Sequence, residues 1–241
     1  MAETGPSAFL ALWNDIERGR EAEYDAWHTR EHVPERVAAP GFLGGRRYVD
    51  RGHPVHRYFT LYDVAGLGAF RTPQYRDLLD NPTDWSAAMR PSFRNFLRVP
   101  CLQEHAAGFG LGAGLAVLRL GLPGGIEPLR EGLAAFAEAP GMVGARLGRR
   151  AEGLPTAAWR QAQPDAGASD GFDTVLLLEA LDRCAAQEAF DEACRQFCAG
   201  AAPTDVGGVY DLAFVFPGFD PGEREAHRRA SWAAMPAAAP G

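Results

Sequence analysis

The chain repeats itself, and nothing else in it constrains the fold as strongly. Ala39-Pro40-Gly41-Phe42 returns 100 residues later as Ala139-Pro140-Gly141-Met142, and Pro82-Thr83-Asp84 returns 121 residues later as Pro203-Thr204-Asp205. Recurrence of this kind marks two copies of one supersecondary unit. The growing offset places insertions in the second copy. Glu152 to Gly171, rich in Ala, Gly, Pro and Asp, reads as the main one, a loop.

Each copy predicts the same order of elements. In the first, an apolar run at Phe9 to Asn14 precedes a helical stretch from Glu21 to Ala39. Strands follow at Phe42 to Asp50 and His56 to Val64, then a helix near Leu67 to Leu79 and a strand near Asn95 to Gln103. The second copy gives strands at 114–120, 143–149, 173–181 and 209–216, with helices at 127–138 and 184–198. This is β-α-β-β-α-β twice, the ferredoxin-like order. The expected fold class is α+β, two tandem ferredoxin-like units whose antiparallel sheets pack as a pseudo-dimer. Residues 1–106 form the first unit, 107–218 the second and 219–241 a C-terminal extension, expected to be partly ordered and to pack on a neighbour at best.

Composition narrows the partners. With 46% hydrophobic and 23% charged residues the chain has the balance of a globular protein. A net charge of −7 argues against nucleic acid, which needs a surplus of Lys and Arg. No apolar run approaches the roughly 20 residues of a membrane span, and Met1 to Ser7 lacks a secretory pattern. Cys101, Cys184, Cys194 and Cys198 read as reduced thiols. The expected location is cytoplasmic, the expected partner a small-molecule substrate, and a homodimer stays open.

The two copies differ in their chemical equipment. At an offset of 100, Trp27 becomes Glu127, His28 becomes Pro128, His32 becomes Gly132 and Arg36 becomes Phe136. Five of the six histidines lie in the first copy. Ala22, Ala26, Thr29, Val33 and Val37 share one helical arc, apolar again in the second copy, which predicts the face on the sheet. On that arc His32 reaches the helix–sheet boundary and His28 faces solvent. Pro34 disfavours helix at Val33 and is a candidate stop. In the second strand His56, Tyr58, Thr60 and Tyr62 share one face, suited to holding a ring and donating hydrogen bonds. Of Arg46 and Arg47 only one can face a pocket. Arg146 matches Arg46, so Arg46 reads as structural and Arg47 as paired to a surface acid. An inward arginine would suit an acidic or enolate group.

His28-Thr29-Arg30-Glu31-His32 fits the inverted zinc-peptidase string. No flanking helical domain supplies a third ligand, so no metal is expected.

Tyr24-Asp25-Ala26-Trp27-His28, Glu31-His32-Val33-Pro34, Pro40-Gly41-Phe42 and Arg46-Arg47-Tyr48 together resemble the EthD-type members of the dimeric α/β-barrel superfamily. That pattern has a histidine late in the first helix, often followed by a proline, then a Pro-Gly turn into a strand. The resemblance covers the first hundred residues, with the second half a degenerate copy. It implies the fold and maps the family histidine onto His32. The superfamily spans lactone isomerases, polyketide cyclases, cofactor-free quinone-forming monooxygenases and haem enzymes. Tandem haem members carry their proximal histidine in the second unit, which here has none, so no haem or other cofactor is expected.

The leading expectation is a cofactor-independent enzyme that acts on a small cyclic or aromatic molecule by His-assisted proton transfer, of isomerase, cyclase or lyase type. His32, Tyr48 and His56 are the candidate catalytic residues. Trp13, Trp27, His28, Arg47, Tyr58, Tyr62 and Trp85 are the candidate substrate contacts. The alternatives are a cofactor-free monooxygenase of a phenolic or polyketide-like substrate, and a non-catalytic binder of aromatic ligands.

Overall fold

The computed structural model describes residues 7–122, 124–157, 171–198 and 203–236. Most of the predicted insertion, Glu152 to Gly171, lies outside them. Among these residues eight strands form: β1 Ala8–Ile16, β2 Phe42–Val49, β3 Tyr58–Val64, β4 Phe93–Gly108, β5 Gly114–Leu120, β6 Met142–Arg150, β7 Thr174–Ala180 and β8 Gly207–Phe216. Helices are α1 Glu21–Trp27, α2 Val33–Ala38, α3 Pro73–Asp80, α4 Asp84–Met89, α5 Glu127–Glu138, α6 Arg183–Phe197, α7 Pro203–Val206 and α8 Pro221–Ala226.

The strands close into one antiparallel barrel in the order β1-β3-β2-β8-β5-β7-β6-β4. Residues 8–108 contribute β4-β1-β3-β2 and the later half contributes β8-β5-β7-β6, so the two runs have matching order. They meet at β2–β8 and β4–β6. Details repeat as well. The register slips between Phe42 and Gly44 against β3, and between Met142 and Gly144 against β7. Gly41 and Gly141 enter these strands at φ +84° and +78°, and a Cβ on either would meet an alanine Cβ, of Ala69 or Ala185, within 2.7 Å. Only glycine takes that backbone and that approach without strain.

Alternation along each strand sends one row inward and one outward. Phe9, Ala11, Trp13, Tyr48, Phe59, Leu61, Leu97, Val99, Leu115, Val117, Val175, Leu177 and Tyr210 fill the lumen, so the barrel is packed solid rather than hollow. At one end the filling turns ionic. Arg46 pairs with Asp63 at 2.7 Å and Glu179 at 3.0 Å, and Arg146 pairs with Asp63 at 2.6 Å.

The outward rows carry the helices. In the later half, Leu118, Leu120, Leu129, Leu133, Phe136 and Phe190 knit α5 and α6 to the sheet in a continuous apolar core. The C-terminal extension departs from expectation, because it packs on this chain's own first half. Trp232 is 1% exposed and its Nε1 donates to Asp77 at 2.8 Å. Arg229 bridges Glu35 and Asp77. Arg224 donates to the carbonyls of Val37, Ala39 and Phe42.

Candidate functional site

Under the helices of the first half the packing is incomplete. A cavity with about 780 Å³ of empty space, its open mouth included, lies between the outer face of β1, β3 and β4 and the helical layer. Leu10, Leu12 and Thr60 form its floor, and Tyr24, Trp27, Phe93 and Phe96 wall it. Thr156 and Ala157 border it from the later half.

A break in helical phase builds this site. Between α1 and α2, His28–His32 form one π-helical turn in which the Val33 N–H donates to the His28 carbonyl. The next residue, Pro34, has no N–H and its ring would crowd a carbonyl four residues back, so a widened turn lets the helix continue through it. The extra residue rotates the helix. Before the turn Tyr24, Trp27 and His28 are buried; after it Val33, Arg36 and Val37 are. The uniform arc predicted through Ala22, Ala26 and Thr29 is therefore wrong at its start, where Ala22 is exposed. His28, expected in solvent, is 3% exposed.

The turn brings two imidazoles together. Their ring centres are 5.5 Å apart, and His32 lies against the Trp27 indole at 4.3 Å. His28 Nε2 is hydrogen-bonded to Thr60 Oγ1 at 3.2 Å. The Nδ1 atoms of both histidines and the Tyr62 hydroxyl are buried without a hydrogen-bond partner. Burial holds both histidines well below the usual imidazole pKa; Arg36 adds to this at His32 and Arg47 at His28. Both rings are neutral at pH 7 and so able to accept a proton. Burial, in contrast, keeps the Tyr62 phenol protonated far above its normal range.

The site also holds cations that the sequence pattern does not single out. Arg36, Arg90 and Arg98 line the cavity, and among the described residues no Asp or Glu does. They come from three separate elements, so no local motif announces them. The exchange of Arg36 for Phe136 was the one available signal. Glu31 stands just behind, accepting from Trp27 Nε1 at 3.1 Å, Thr83 Oγ1 at 2.6 Å and Ser86 Oγ at 3.1 Å, which fixes the indole. Its carboxylate is committed to these donors, and no cluster of three metal-binding side chains occurs among the described residues.

Of the predicted residues, His32, His28, Trp27 and Tyr62 line the cavity; the others are elsewhere. Tyr48 points into the lumen and donates to Glu179 at 3.2 Å. Trp13 also points into the lumen, against Phe59 at 5.0 Å. His56 precedes β3 in a left-handed conformation, φ 69°, its N–H on Asp15 at the far barrel end. Tyr58 packs edge-on to Tyr24 at 4.7 Å, and Trp85 is half-buried on the same cluster. Arg47 pairs with Asp25 at 3.2 Å behind the cavity.

No family model and no curated protein matches the chain. Solved structures do. A candidate monooxygenase from Fusobacterium nucleatum superposes with a TM-score of 0.53 at 10% identity, over 89% of this chain and 97% of that one. An anthrone oxidase-like protein gives 0.56 at 11% identity, over 88% and 93%. The fold is a dimeric α/β-barrel. A candidate monooxygenase from Lactobacillus acidophilus shares this barrel, with a TM-score of 0.50 at 13% identity over 89% and 98%. Within this chain's barrel no described helix is long and apolar enough to cross a membrane.

Proposed function

We propose that the first-half cavity is the active site of an EthD-like, cofactor-independent enzyme that moves a proton on a small cyclic or aromatic molecule. The observation that carries this reading is the neutral His28–His32 pair, its two Nδ1 atoms buried and unpartnered in an aromatic-walled cavity. In this reading a ring packs against Trp27 and Phe93. His32 Nδ1 takes a proton from a carbon next to a carbonyl, or from a phenol. The Tyr62 hydroxyl, with Arg36 and Arg90, stabilises the enolate or phenolate oxygen. Return of the proton to another atom gives isomerisation; loss of a leaving group gives lysis. His28, tied to Thr60, is a positioning residue that keeps His32 in place.

The same reading treats the chain as a diverged tandem pair of ferredoxin-like units. Matching strand orders, paired register slips and the Gly41–Gly141 correspondence support it. The later unit filled the equivalent space with Leu and Phe and serves as scaffold.

A second reading is favoured by the names of the fold neighbours. The enolate reacts with dioxygen, one oxygen atom ending as a carbonyl on the former CH2 and the other leaving as water, with the substrate supplying the electrons. Turnover of cyclic ketones and phenols by wild type, His32→Gln and His32→Ala tests both. Loss of roughly 10²–10⁴ in kcat is expected for a general base, and oxygen uptake separates the second reading from the first. Unchanged turnover in both variants overturns the role of His32. Binding without conversion in any variant would leave a carrier.

A further inference from the structure

Among the described residues, three arginines and no carboxylate line the cavity of a chain whose net charge is −7. Building on the active-site reading of that cavity, we propose that its substrate is an aromatic or cyclic carboxylate whose anionic group is held by Arg98.

The three arginines are not equivalent. Arg36 has a carboxylate nearby, Glu35 at 3.4 Å, and donates to the Leu78 carbonyl at 3.3 Å. Arg90 donates to the Leu79 carbonyl at 2.9 Å. Arg98 stands on β4 with one neutral partner, the Tyr75 hydroxyl at 3.0 Å, and lies 5.5 Å from the Phe70 ring centre. Its Nε is buried without a hydrogen-bond partner, and among the described residues it forms no ion pair. The side chain is half-buried, and a guanidinium partly withdrawn from water without a counter-ion is costly to hold. A carboxylate matches its planar fork and relieves that cost.

Strand register fixes the distance between this anchor and the histidines. Leu12 pairs with Arg98 on one side and with Thr60 on the other. Arg98 and Thr60 are therefore two strand spacings apart, roughly 10 Å. Thr60 holds His28, and His32 lies beside it. Leu12 is the apolar floor between the two stations. One or two fused rings span that gap, with the carboxylate at Arg98 and the reacting position under the imidazoles.

Calorimetric titration of the full chain with 2-naphthoate, 2-naphthamide and 2-naphthol at pH 7.5 tests the proposal. The naphthoate is expected to bind roughly 10- to 100-fold tighter than the amide, the strength of a charge-assisted hydrogen-bond pair. Arg98→Gln should erase that preference while leaving amide affinity within about twofold. Equal affinities for acid and amide in wild type overturn the proposal. So does an equal loss for both probes in the variant, or a preference for naphthol over naphthoate. Should the variant fail to fold, a structure of the wild type with naphthoate decides: a carboxylate on Arg98 supports the assignment, and a carboxylate anywhere else refutes it. Because the readout is binding, His32→Gln should keep the preference intact. The anion site can thus stand if the chemistry fails, and the chemistry can stand if the anion site fails.

Discussion

Acidification should destabilise this protein steeply, and the loss should trace to three named histidines. Burial holds His28 and His32 well below the ordinary imidazole pKa of 6.5 and holds His56 at about 4. Above pH 6.5 these groups are neutral in both folded and unfolded chains and do not affect the balance. As pH falls from 6.5, the unfolded chain takes up protons that the folded chain refuses, so stability declines until the folded pKa values are reached. Between pH 7 and 5.5 each such histidine costs roughly 1.3 kcal/mol, and three cost roughly 4 kcal/mol. That is a large share of the roughly 5–15 kcal/mol a domain possesses. Glu179 works in the opposite sense, since burial raises its folded pKa and acid favours its folded form. Comparing wild type with His28→Gln, His32→Gln and His56→Gln isolates the histidine part, because any pH-independent damage cancels in the slope. Urea unfolding at pH 7.0 and 5.5 should show the loss shrink by roughly 1.3 kcal/mol in each variant. If all three variants lose as much as the wild type, the histidines are not held neutral, and the reasoning behind the proton acceptor fails.

Two further outcomes follow from the packing. Trp232→Ala should lower stability by roughly 3–5 kcal/mol, the cost of emptying a buried aromatic site, read from urea midpoints; a change within measurement error would mean the extension does not clasp α3. Arg46→Met strands the buried Glu179 carboxylate, while Asp63 keeps Arg146, and should cost roughly 3–5 kcal/mol near neutral pH by the same assay.

What the residues disclose on their own depends on how local the cause is. The Ala-Pro-Gly strings marked two equivalent turns because Gly41 and Gly141 meet the same backbone requirement. Strand alternation separated Thr60 and Tyr62 from Phe59 and Leu61 correctly, since period two is fixed by the pleat. Helical phase failed where Pro34 acts at a distance: it widens the turn ahead of it, and a constant rotation per residue cannot register that. His56 was misplaced for a related reason, its left-handed backbone removing it from the strand row that Tyr58 begins. Tyr48 and Trp13 were read as pocket aromatics, yet a closed barrel has an interior to fill, and their rows face it. Arg90 and Arg98 join the site through tertiary contacts that leave no pattern in the chain.

The most direct test is nitrogen NMR of histidine labelled at both ring positions, titrated from pH 8 to 5.5 with and without a ring probe. His28 and His32 should keep neutral-imidazole shifts throughout, and their Nδ1 signals should move when the probe binds. Titration of either ring near pH 6.5, or Nδ1 signals indifferent to the probe, would contradict this.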